Sequence, residues 1–124
     1  MLKTGIEHES EMTVSASNTA AAVGSGDMDV LATPAMIALM ENAAMLCVAP
    51  FLADGQTTVG SQISSTHLKP TPSGGKVKAV AKLIEIDGRK LVFDVSAADE
   101  QGVIGSGTHT RYIVDREKFM GKLK

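Results

Sequence analysis

One segment constrains this chain more than any other. The run Pro34-Ala-Met-Ile-Ala-Leu-Met-Glu-Asn-Ala-Ala-Met-Leu-Cys-Val-Ala-Pro-Phe-Leu52 contains no Lys, Arg or Asp. Its only strongly polar side chains are Glu41 and Asn42. A helix that is apolar nearly all round has to be enclosed, by a protein or by a membrane. The length is close to the roughly 20 residues that a membrane span needs. Glu41 would then sit near mid-bilayer, at about 2.5–3.5 kcal/mol on insertion scales. No basic cluster flanks the run, and Pro50 interrupts its end. The pattern therefore predicts a helix enclosed by its own protein, with no membrane partner. An ionised carboxylate among apolar groups is costly unless it is paired or solvated. Glu41 is thus expected to face a polar site.

After the helix the sequence period changes to two. Thr33-Pro34 suits a helix start, with Thr as the cap and Pro at the first helical position. Ala53-Asp-Gly55 closes the helix, which is expected to reach about Leu52. Residues 6–16 read as a polar, partly alternating strand, and 17–32 as a loop or short irregular piece around Gly24-Ser-Gly26. Residues 57–69 read as a strand of mixed polarity, followed by the turn cluster Pro70–Gly75. In 76–86, Val77, Ala79, Ala81 and Leu83 alternate with Lys76, Lys78 and Lys82. Asp87-Gly88 is a hairpin signal. Leu91, Phe93, Val95 and Ala97 share one face of 89–98, and a last strand covers 103–114. A short amphipathic helix is expected over 115–123. Short hairpins require an antiparallel sheet. One sheet covers one side of a helix, so the remaining apolar surface predicts a homodimer.

Composition narrows the function classes. A chain of 124 residues is one domain, here taken as 1–124. A formal net charge of -2 and the lack of a Lys/Arg run argue against nucleic-acid binding. Cys47 is the only cysteine, so no internal disulfide and no CxxC motif can form. The three histidines are scattered and make no metal signature, and no cofactor is expected. His8 and His109 have no obvious partners. The N-terminal residues are charged, which predicts a cytoplasmic protein.

Three residues could carry chemistry: Thr33 at the helix start, Glu41 two turns on, and His67 on the first strand after the helix. Thr33 and Glu41 lie on one side of the helix, about 12 Å apart along it. A hydroxyl, a carboxylate and an imidazole suffice for acyl transfer or hydrolysis. Each residue also has a plain structural role. Thr33 can be a helix cap, Glu41 a paired surface charge, His67 a solvent-facing strand end and Gly60 a bulge.

The order of strand, long helix and four strands is that of the hot-dog fold, an α+β architecture with an antiparallel sheet around a central helix. The words of the sequence resemble one branch of it, the fluoroacetyl-CoA thioesterase-like family. The resembling segments are Val30–Ala44, Thr58–Pro72, Asp87–Val95 and Gly105–Val114. They occur in register from about residue 6 to 123. The resemblance implies hydrolysis of an acyl-CoA thioester. Thr33, Glu41 and His67 stand at the catalytic positions, and Gly60 and Arg111 at substrate-binding positions. It also implies a homodimer with the active site at the subunit interface. One departure stands out. The fluoroacetyl-CoA enzyme places bulky aromatics in a lid before the helix, whereas Ala20–Asp29 has no aromatic residue. A general short-chain or otherwise unassigned acyl-CoA is the implied substrate. Two other classes use the same parts: a non-catalytic acyl-CoA or small-ligand binder, and a hot-dog dehydratase.

Overall fold

The computed structural model describes residues 1–124. Its elements run β1 (Glu7–Thr13), α1 (Ala20–Val23), α2 (Thr33–Val48), a 3-10 turn (Ala49–Phe51), β2 (Gln56–His67), β3 (Lys76–Asp87), β4 (Lys90–Asp99), β5 (Gly102–Asp115) and α3 (Arg116–Gly121). The five strands form one antiparallel sheet in the order β1-β3-β4-β5-β2, with α2 packed into its concave side. The hot-dog architecture expected from the order of elements is present.

The alternation in the sequence is what builds the core. Val77, Ala79, Ala81 and Leu83 of β3 are fully buried, and Leu91, Phe93, Val95 and Ala97 of β4 nearly so. From α2, Met36, Leu39, Met40, Ala43, Ala44, Cys47 and Val48 face them. The small Ala79, Ala81 and Ala97 let the helix approach the sheet, and Met36 and Met40 fill the irregular space that remains. Burial pushes the Cys47 thiol pKa up, as for a packed thiol rather than a reactive one.

Three expectations need correction. Thr33 is not the helix cap. Ala32 occupies that position without a side-chain hydrogen bond, and Thr33 is the first helical residue. The α-helix ends at Val48, and its last stretch before Leu52 tightens into the 3-10 turn at Pro50. β1 stops at Thr13, because the chain then turns so that Val14 can bury and bond to Gly74 and Gly75. The first hairpin closes at Asp87↔Lys90, with Gly88 at φ 61° in the first loop position. Glycine first is the arrangement of a type II′ turn.

The far hairpin is tied to the segment before β3. The Thr71 hydroxyl, in a buried residue, donates to Asp99 Oδ2 at 2.8 Å. That bond holds the Asp99 carboxyl below its ordinary pKa. A depressed carboxylate pKa stabilises the fold above the unfolded value, and this is lost as pH falls through the folded one. Thr71→Val removes the donor. Its Tm should therefore fall less between about pH 5 and pH 3 than that of the parent. Equal falls would show that the bond does not contribute.

One side of α2 stays uncovered by the sheet. Ala38 and Leu46 are exposed there, and Ile37 and Met45 are half-buried. By length and composition Thr33–Phe51 could cross a membrane, at a mean hydropathy of 1.4. In this fold the opposite face of the same helix is the core.

Candidate active site

Because Thr33 opens α2 without capping it, its hydroxyl is free to point across to the end of β2. There Thr33 Oγ1 lies 2.7 Å from His67 Nδ1. His67 Nε2 is buried and has no hydrogen-bond partner. With Nδ1 as acceptor, the imidazole is placed to take a proton from the hydroxyl or from whatever replaces it. Both residues line a cavity of about 250 Å³, together with Ala20, Val30, Leu31 and Leu68. The half-exposed setting and mixed apolar and polar lining suit a small ligand.

Glu41 sits two turns further along α2, half-buried, in a second group of residues. A Cβ added at Gly60 would lie 3.1 Å from Glu41 Oε2, 3.1 Å from His109 Cε1 and 3.3 Å from Arg111 Nη1. Gly60 is therefore the open floor on which a carboxylate, an imidazole and a guanidinium converge. It also borders the register shift between Gly60 and Gln62, as the bulge reading expects. Glu41 does face polar groups, as its setting in an apolar helix required.

Arg111 is buried at 6% exposure and fully engaged along one side. Its Nε donates to Thr58 Oγ1 at 2.7 Å, and Nη2 to the Thr58 carbonyl at 2.9 Å. Nη1 lies 3.2 Å from His109 Nε2. His109 Nδ1 lies 2.8 Å from the Gln62 carbonyl. A carbonyl can only accept and an arginine can only donate. The two contacts together fix His109 as a neutral imidazole with its proton on Nδ1. Burial pushes the His109 pKa down. The Gln62 carbonyl opposes this, the Arg111 charge adds to it, and the Glu41 charge opposes it. Burial also lowers the Arg111 pKa, against the pull of Glu41.

Within one chain the five expected residues thus form two groups: Thr33 with His67, and Glu41 with Gly60 and Arg111. His109 was read as having no partner, and this is corrected. It is 1% exposed and bonded on both ring nitrogens. A clue lay in the sequence, since His109 and Arg111 are two apart on a strand and so share a face.

Comparison with known proteins identifies the family. The family model described as "Fluoroacetyl-CoA-specific thioesterase" matches residues 14–117. A fluoroacetyl-CoA thioesterase from Streptantibioticus cattleyicolor is 42% identical over 96 residues, covering 77% of this chain and 69% of that protein. A solved Thr-to-Ser variant of the fluoroacetyl-CoA enzyme, in complex with acetyl-CoA, superposes with a TM-score of 0.93 at 33% identity, covering 98% of this chain and 96% of that one. A thioesterase superfamily member from Thermus thermophilus gives a TM-score of 0.91 at 28% identity, covering 99% of this chain and 91% of its own. With the same fold along its length and the family model matched over most of its residues, this chain belongs to the fluoroacetyl-CoA-specific thioesterase family of hot-dog thioester hydrolases.

Proposed function

We propose that this protein hydrolyses a short-chain acyl-CoA to the free acid and CoA, with Thr33, Glu41 and His67 as its catalytic residues. The observation that carries this reading is the 2.7 Å contact between the Thr33 hydroxyl and His67 Nδ1 at the wall of a cavity. The thioester carbonyl takes a place between the two groups of residues. Glu41 attacks it and expels the CoA thiolate, giving a mixed anhydride that water then opens, or it draws a proton from a water that attacks the carbonyl and expels the same thiolate. Thr33 polarises the reacting group and His67 carries the proton. At the start of α2, Pro34 has no N–H and Ala35 and Met36 donate to the Ala32 carbonyl, so the Thr33 N–H is the one left to donate to the oxyanion. Gly60 leaves room for the acyl group, and Arg111 binds substrate. Single turnover in heavy-oxygen water separates the two routes, because label enters Glu41 only when water opens an anhydride at the Glu41 carbonyl.

The acyl group in this reading is small but not confined to fluoroacetyl. Support comes from the cavity wall, where Ala20, Ser25 and Val30 stand and no Phe, Tyr or Trp does. The test is thiol release from acyl-CoAs of graded length and polarity. Thiol release from none of them, alongside ligand-induced thermal stabilisation, would instead favour a binding protein. A cytoplasmic location suits the reading, since Cys47 is a lone buried thiol.

The working unit in this reading is a homodimer whose site spans the subunit interface. β2 is an edge strand of the sheet, and α2 keeps an apolar face uncovered beside it. Antiparallel pairing of two β2 edges about a two-fold axis brings the His67 end of one subunit toward the Gly60 end of the other. The two groups of residues then meet across the interface. Mixing Glu41→Ala and His67→Ala subunits should restore about a quarter of wild-type activity, because half of the pairs are mixed and each has one intact site. No restoration, after exchange of subunits has been verified, would place each site within one chain.

A further inference from the structure

We propose that His109 is a positioning residue: its Nε2 holds Arg111 in place above Gly60 and away from Glu41, and does so only while the imidazole is uncharged. The proposal rests on the thioesterase reading above, because it assigns a part within that same site.

Arg111 has five N–H donors. Two of its nitrogens are held by Thr58, through the side-chain and main-chain oxygens of that one residue. Bonds to one residue leave the far edge of the guanidinium able to swing. Nη1 is that edge, and its hydrogen-bond acceptor is His109 Nε2. Glu41 is the competitor. Its Oε2 and Arg111 Nη1 both crowd the space above Gly60, yet no ion pair forms between them among the salt bridges of the chain. A buried guanidinium and a half-buried carboxylate that line one space attract each other. Released from His109, Arg111 would close onto Glu41. The carboxylate would then be neutralised as nucleophile or base, and the substrate would lose its cation.

His109 in turn is held by the Gln62 carbonyl on β2, at the bulge next to Gly60. This bond requires the proton on Nδ1, which leaves Nε2 as an acceptor. The charged groups facing His109 are Arg111 from β5 and Glu41 from α2. β4 presents the uncharged Phe93 ring, at 6.3 Å between centroids and tilted by 31°. A second proton on His109 would set an N–H against the N–H of Arg111 and two positive charges side by side. The contact cannot survive that change, so acid should unlock Arg111. Burial lowers the His109 pKa and keeps the lock closed at neutral pH.

The experiment is the pH profile of kcat/KM for the wild type, His109→Gln and His109→Leu, on the acyl-CoA that the wild type hydrolyses fastest. Gln offers Arg111 an acceptor that acid cannot protonate; Leu offers none. His109→Leu should lose about tenfold or more in kcat/KM at neutral pH. His109→Gln should recover much of that loss and lack the acid-side step set by His109. An acid limb in His109→Gln identical to that of the wild type would overturn the proposal. So would a folded His109→Leu chain within about twofold of wild type. If His109→Leu does not fold, the His109→Gln profile alone decides. A wild-type chain that releases thiol from no acyl-CoA refutes the thioesterase reading and this proposal with it. Wild-type turnover with an unchanged acid limb in His109→Gln refutes this proposal alone.

Discussion

Glu41→Gln should lower kcat on acyl-CoA thioesters by about 10²–10⁴-fold while leaving the protein folded. The size follows from the role. An amide cannot attack a thioester usefully, nor can it take a proton from water, so both routes through Glu41 close together. The fold should tolerate the change. Glu41 is only half-buried, and its side chain replaces no packed apolar group. Gln keeps the shape and an acceptor oxygen toward Arg111 Nη1. Thiol release under saturating substrate, with a parallel thermal melt, checks both statements. A Glu41→Gln protein that keeps more than about a tenth of wild-type kcat would remove Glu41 from the chemistry. That outcome would return the residue to the role of a half-buried charge on α2.

The second large effect concerns stability. Gly107 of β5 lies between Val95 of β4 and Ser65 of β2 in the sheet register. A Cβ added there would fall 1.8 Å from the Ser64 carbonyl oxygen and 2.7 Å from Ser65 Cα. Both obstacles are main chain, so no rotamer change relieves them. The β2 edge must move away from β5, and the ladder bonds on either side weaken with it. Gly107→Ala should cost about 3 kcal/mol or more, beyond the usual range for an alanine at a strand position. Because β2 carries both Gly60 and His67, activity should fall along with stability. Urea denaturation gives the first quantity. An unfolding midpoint equal to that of the parent would mean that the two strands part more easily than the geometry implies.

The residues that the sequence made legible are those whose pattern is local. Alternation along 76–86 and 89–98 places Val77 to Leu83 and Leu91 to Ala97 in the core, because a strand period of two leaves each side chain one of two faces. The apolar run from Pro34 gives the central helix for the same kind of reason. What escaped was non-local. Thr33 looked like a cap, since a hydroxyl at a helix start usually bonds to its own helix. The partner it has instead, His67, is 34 residues away. His109 looked idle because its partners, Gln62 and Arg111, meet it only once β2 and β5 pair. Thr33, Glu41 and His67 stood out from the sequence itself, and the resemblance to a family added their catalytic positions and the substrate-binding positions of Gly60 and Arg111. It did not indicate that they fall into two groups within one chain.

The segment that walls the cavity has a property of its own. Ala20, Ser25 and Val30 reach the cavity from a stretch of chain held by main-chain bonds: Ala20 N–H to the Val30 carbonyl at 2.8 Å, Leu31 N–H to the Thr71 carbonyl at 2.8 Å, and Ala32 N–H to the Asn18 carbonyl at 2.9 Å. None of these bonds depends on which side chain is present. A wall built this way can exchange its side chains while its path stays fixed. In the proposed reading, acyl preference can therefore drift by substitution at those positions, with little loss of stability and with the Thr33–His67 contact undisturbed. In evolutionary terms, the proposed reading puts chemistry and choice of substrate on separately replaceable parts of the chain.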